Sequence, residues 1–131
     1  MPKLSSTVQK QRLTNAVLKA KQSLECSYND IKGMPQCVIG QLMASHRLGP
    51  EARRKCNNCA ISYIFAHPLH AGFEVVVKAL KDYDRKLLSE LQSVWDGHQE
   101  LEGIPKFEDR VLIGDDERRM YMLFLIEEHY S

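Results

Sequence analysis

The feature that most constrains the fold is an apolar stripe between positions 73 and 95. Phe73, Val76, Val77, Leu80, Tyr83, Leu87, Leu88, Leu91, Val94 and Trp95 recur at the helical period. A chain with such a stripe must supply other apolar surfaces to cover it, which points to helices packed on helices. Val75-Val76-Val77 taken alone would suit a strand, but the length of the stripe favours helix. Asp82 or Asp84 is placed to cap a second helix if the element breaks near its middle. Gly97, after Trp95-Asp96, supplies a stop.

The remaining elements follow from the same periodicity. Leu13, Val17, Ala20 and Leu24, extended backwards by Val8, predict a first helix over 6–25, with Ser6 or Thr7 as its cap. Val38, Ile39, Leu42 and Met43 predict a second. Gly40 inside it disfavours helix by about 1 kcal/mol relative to Ala, a penalty usually explained by close approach of another backbone. A third helix should start at Gly49-Pro50-Glu51 and run to about residue 66, burying Cys59, Ala60, Tyr63 and Ile64, until Pro68 ends it. The last starts behind Asp115-Asp116-Glu117 and is apolar nearly all round from Met120 to Ile126, as a central or interface helix would be. Gly33, in turn-forming surroundings, is free to take positive φ. The expectation is an all-α, mainly helical fold of about five helices, with 73–95 and the C-terminal helix at its centre. Extended structure competes in two places, a short β-hairpin near 26–36 and a strand near 111–113. With 131 residues the chain is one compact domain's worth, 1–131, large enough to bury a core without metal or disulfides.

Charge narrows the function. The 18 basic and 17 acidic residues are too evenly matched for a binder that coats nucleic acid or membrane with its whole surface. Residues 1–55 hold ten Lys/Arg against three Asp/Glu, and 56–131 hold eight against fourteen, so the chain is dipolar. Such a chain can self-associate as a homo-oligomer or offer its basic half to an acidic partner. Lys10, Arg12 and Lys19 on the first helix and the cluster Arg53-Arg54-Lys55 are the candidate macromolecule-binding residues. No secretory signal opens the chain and no stretch is apolar enough for a membrane span, so the expectation is a cytoplasmic protein with reduced cysteines and no membrane partner.

Three of the four cysteines and three of the five histidines fall between Cys37 and His70. Cys56, Cys59, His67 and His70 have the residue types of a zinc site, and Cys26, Cys37, Cys56 and Cys59 form an alternative set. A continuous helix over 56–70 would extend about 21 Å, too long for one tetrahedral ion, so the favoured reading is no cofactor, with zinc as the alternative. No glycine-rich phosphate loop occurs. A cysteine beside His46, His67 or His70 is the remaining route to nucleophilic catalysis.

Cys26-Ser27-Tyr28 through Gly33 to Cys37-Val38-Ile39-Gly40 resembles a pattern of small uncharacterised proteins encoded by bacteriophages and prophages. Leu87-Leu88, Leu91-Gln92 and Trp95-Asp96 are similar to a second element of those proteins, with Trp95 where they usually carry histidine. That resemblance implies no activity or cofactor. It implies a compact cytoplasmic domain that binds and modulates a host or defence macromolecule. The favoured function is therefore a non-enzymatic interaction protein whose partner is a protein rather than nucleic acid. The competing readings are a small zinc-binding or nucleic-acid-binding module and a cysteine- or metal-dependent hydrolase.

Overall fold

The computed structural model describes residues 3–21, 28–29, 32–57, 59–95 and 115–131. Among them are seven helices: α1 (Ser6–Lys19), α2 (Val38–Ser45), α3 (Pro50–Arg54), α4 (Ile61–Ala66), α5 (Phe73–Leu80), α6 (Arg85–Trp95) and α7 (Asp115–His129). The all-α expectation holds. The count exceeds five because two expected helices are each broken in two.

One break is marked by a local bond and the other by a long-range one. Between α5 and α6 the chain turns at residues 81–84, and Asp84 Oδ1 accepts from Leu87 N at 2.8 Å to cap α6. Between α3 and α4 the residues after Arg54 turn instead of continuing. There Asn57 Oδ1 accepts from Tyr28 N at 2.9 Å, a bond that ties the turn to the segment before α2. The break resets the helical phase, so α4 buries Ile61, Ile64 and Phe65 while Ala60 and Tyr63 stay exposed. Ser5, one residue before the expected caps, caps α1 by accepting from Val8 N at 3.2 Å, and α1 ends at Lys19. Of the hairpin expected near 26–36, the described residues show one antiparallel bridge, Asn29 to Pro35. The strand expected at 111–113 and the Gly97 stop lie outside the described residues.

Four helices form a ring in which α1 packs on α2, α2 on α6, α6 on α7 and α7 back on α1. Contacts at the two ends make every neighbouring pair antiparallel. At one pole Lys21 N donates to Gln36 O at 2.6 Å, Arg118 Nη1 to Trp95 O at 3.1 Å and Arg119 Nη2 to Ala20 O at 2.6 Å. The two arginines thus place positive charge at the C-terminal ends of α1 and α6, where the helix dipoles favour it. At the other pole His46 Nε2 meets Tyr83 Oη at 2.6 Å, and Tyr130 Oη donates to Gln9 Oε1 at 3.0 Å. Helix α6 also packs on α4, burying Leu87, Leu88, Leu91, Gln92 and Trp95, so it is the centre. Helix α7 is less central than its composition suggests. It buries Met122 and Ile126 but leaves Met120 and Phe124 exposed.

A buried polar cluster ties the loops to this ring. Gln92 Oε1 accepts from Ile61 N at 2.8 Å, satisfying a first-turn donor of α4, while Gln92 Nε2 donates to Tyr28 Oη at 3.0 Å. Tyr28 Oη donates in turn to Cys59 O. Gly40 sits beneath Tyr28, whose carbonyl oxygen would lie 2.4 Å from any added Cβ, which is the close approach expected of that glycine. Gly33 does adopt positive φ, 81°.

Candidate functional site

The six candidate cations have different surroundings. Arg53, expected with Arg54 and Lys55 to bind a macromolecule, lies inside. It is 5% exposed, with Nε on Asn29 Oδ1 at 2.6 Å, Nη1 on Leu48 O at 3.0 Å and Nη2 on Gly33 O at 2.8 Å. Its planar fork matches three acceptors, two from the segment between α1 and α2 and one from the turn after α2, which is why an arginine stays inside here. Burial lowers its pKa from the ordinary guanidinium value. Lys10 pairs with Glu127 at 2.8 Å, and Arg12 donates to Ser45 O at 2.6 Å. Lys19, Arg54 and Lys55 are exposed.

The cysteines and histidines separate in the same way. Cys56 is fully buried with Sγ 3.8 Å from Gly72 O, and burial, reinforced by Cys59, pushes its thiol up to about 11. Cys37 Sγ accepts from Gly40 N at 3.3 Å as the cap of α2. Cys59 is half-buried, and Cys26 lies outside the described residues. His67 and His70 are exposed, each donating from Nδ1 to a nearby carbonyl, Tyr63 O at 3.0 Å and Ala71 O at 3.1 Å. Among the described residues no three His, Cys, Asp or Glu side chains are placed to hold one metal ion.

An open depression of about 780 Å³ lies at the pole where α1 begins and α7 ends. Its carboxylates hold the fold together. Asp82 Oδ2 accepts from Leu4 N at 2.9 Å, and Asp84 caps α6. Beside it, His46 has a lowered pKa, first from burial and then from Arg12, with Asp82 opposing. Burial raises the pKa of Tyr83, whose hydroxyl shares a 2.6 Å hydrogen bond with His46 Nε2.

The most distinctive surface feature is the turn between α4 and α5, which sequence reasoning treated only as a helix stop and a pair of metal ligands. Leu69 is 91% exposed. The turn carrying it is held in shape on both sides. The His67 ring lies 4.1 Å from the Tyr63 ring and the His70 ring 4.7 Å from the Phe73 ring, each pair tilted by 30°. Tyr63 and Phe73 meet edge to face at 6.1 Å. Backbone bonds His70 N to His67 O and Phe73 N to His70 O close successive tight turns. Gly72, at φ 93°, gives the left-handed entry into α5, and the Lys55 stem lies against it. The sequence signal was a leucine between Pro68 and His70, an apolar side chain where a turn would carry a polar one.

Of the described residues that carry the phage-type resemblance, Tyr28 crosses Gly40 and bonds Gln92, and Trp95 Nε1 donates to Lys21 O at 3.0 Å. They act here as fold determinants. Comparison of the chain with family models, with curated proteins and with solved structures returns no match.

Proposed function

We propose that this chain is a non-enzymatic interaction protein of phage type, which uses the 67–72 turn to occupy a surface of a host or defence protein. The observation that carries the reading is Leu69, held out on a turn flanked by two aromatic–histidine stacks. An ordered turn loses little entropy on binding, and a protruding apolar side chain suits an apolar pocket on the partner. Arg54 and Lys55 are exposed, and Lys55 lies against Gly72, so an acidic rim on that pocket complements the site.

Two observations favour a protein partner over the competing readings. Arg53 is buried on three acceptors, and Lys10 and Arg12 make contacts within the chain at its surface, which weakens a phosphate-binding face. Cys56, with its thiol held protonated at neutral pH, is a poor nucleophile. Affinity capture from bacterial lysate with wild-type protein and with Leu69→Asp tests the reading. The expected outcome is a protein retained by the wild type and lost by the variant. Turnover of a substrate by the isolated chain, abolished by a single substitution, would overturn it.

A further inference from the structure

We propose that two copies of the chain pair through the exposed faces of α1 and α7, with α1 of each copy lying on α7 of the other. The inference rests on surfaces on the opposite side of the ring from its core and is independent of the 67–72 turn. On α7, Met120 is 70% and Phe124 56% exposed, and they stand one turn apart on the same face. On α1, Leu18 is 58% exposed. The Arg119–Ala20 and Lys10–Glu127 contacts hold the two helices side by side and antiparallel. Leu18 and Met120 therefore fall at the same end of the pair, with Phe124 one turn further along α7.

Charge identifies what covers these residues. Residues 6–21 contain no acidic side chain, and Lys19 and Lys21 are exposed beside Leu18. On α7, Asp116, Glu117, Glu127 and Glu128 are exposed; Asp116 pairs with Arg119 and Glu127 with Lys10 of the same copy, while Arg118 Nη1 and Arg119 Nη2 reach inward to Trp95 O and Ala20 O. The face is thus apolar in the middle, basic along one helix and acidic along the other. A two-fold axis parallel to the helices lays the basic helix of each copy on the acidic helix of the other, as a self-complementary interface requires. An axis perpendicular to the helices would lay α1 on α1 and oppose like charges. Rotation about the parallel axis preserves position along the helices, so Lys19 of one copy faces Glu117 of the other.

Each face is about 21 Å long and about 20 Å wide, so the pair buries about 800 Å² in total, below the ~1,200 Å² of stable interfaces and in the range of weak, transient ones. The association is accordingly expected to depend on concentration. Sedimentation velocity of the full chain from about 5 to about 500 μM tests it. The expected result is a shift from the 15.1 kDa monomer to twice that mass. Met120→Glu/Phe124→Glu, at exposed positions that leave the circular dichroism spectrum unchanged, should stay monomeric. Leu69→Glu should associate like the wild type, and Lys19→Glu should weaken association, with Lys19→Glu/Glu117→Lys restoring it. A monomer at the highest concentration, association that survives the α7 double variant, or failure of the charge swap to restore it would overturn the proposal.

Discussion

A Cβ at Gly40 would stand 2.4 Å from the carbonyl oxygen of Tyr28, and backbone cannot swing aside as a side chain does. Helix propensity alone predicts that Gly40→Ala stabilises α2 by about 1 kcal/mol. The contact reverses the sign, and the expected outcome is destabilisation by about 3 kcal/mol, read from the urea midpoint. That a backbone approaches Gly40 was legible from a glycine inside an apolar run. Which backbone was not, because Tyr28 reaches it across a turn. Arg53 teaches the complementary lesson: its acceptors are two carbonyls and an amide oxygen, which leave no charge pattern in the sequence. His46 gives a second prediction. Its folded pKa lies below the unfolded value of 6.5, so below that pH the unfolded chain binds the extra proton. Stability from this group is present above pH 6.5 and is lost as pH falls from 6.5 towards the lowered folded value. Chemical denaturation across that window should show a smaller loss for His46→Gln than for the wild type.

At the scale of elements, the stripe from Phe73 to Trp95 was legible because periodicity survives a break that keeps phase, as the turn at 81–84 does. The break after Arg54 shifts phase, and the bond that marks it, Asn57–Tyr28, joins residues far apart in sequence. Helix α6 is the element on which α2, α4 and α7 converge. Leu87 on it is buried, and Leu87→Asp places an unpaired charge in the core. The expected cost is about 4 kcal/mol by chemical denaturation, with the variant losing its cooperative transition if the margin is smaller than that. Helix α7 shows where composition misleads: a helix apolar nearly all round buries one narrow face here. Its other face is the surface assigned above to a second copy.

For the whole molecule, the all-α class followed from periodicity, whereas the antiparallel ring depends on contacts between distant residues that no local pattern encodes. The same holds for the site. The histidines of the 67–72 turn were visible as residue types, but their stacking on Tyr63 and Phe73 and the exposure of Leu69 required the fold. Among the described residues no helix is long and apolar enough to cross a membrane. The apolar core draws on helices from α1 to α7, so stability is not expected to depend on an ion. Elemental analysis of tag-free protein should find no stoichiometric zinc, and the thermal midpoint should not move on chelation. One equivalent of zinc and a midpoint lower by tens of degrees would contradict this. The claim that the 67–72 turn is the working surface is tested most directly by hydrogen–deuterium exchange of the chain with and without its captured partner. The account predicts that new protection centres on residues 63–73, with the neighbouring amides of Arg54 and Lys55. Unchanged exchange across that turn, with protection confined to other elements, would contradict it.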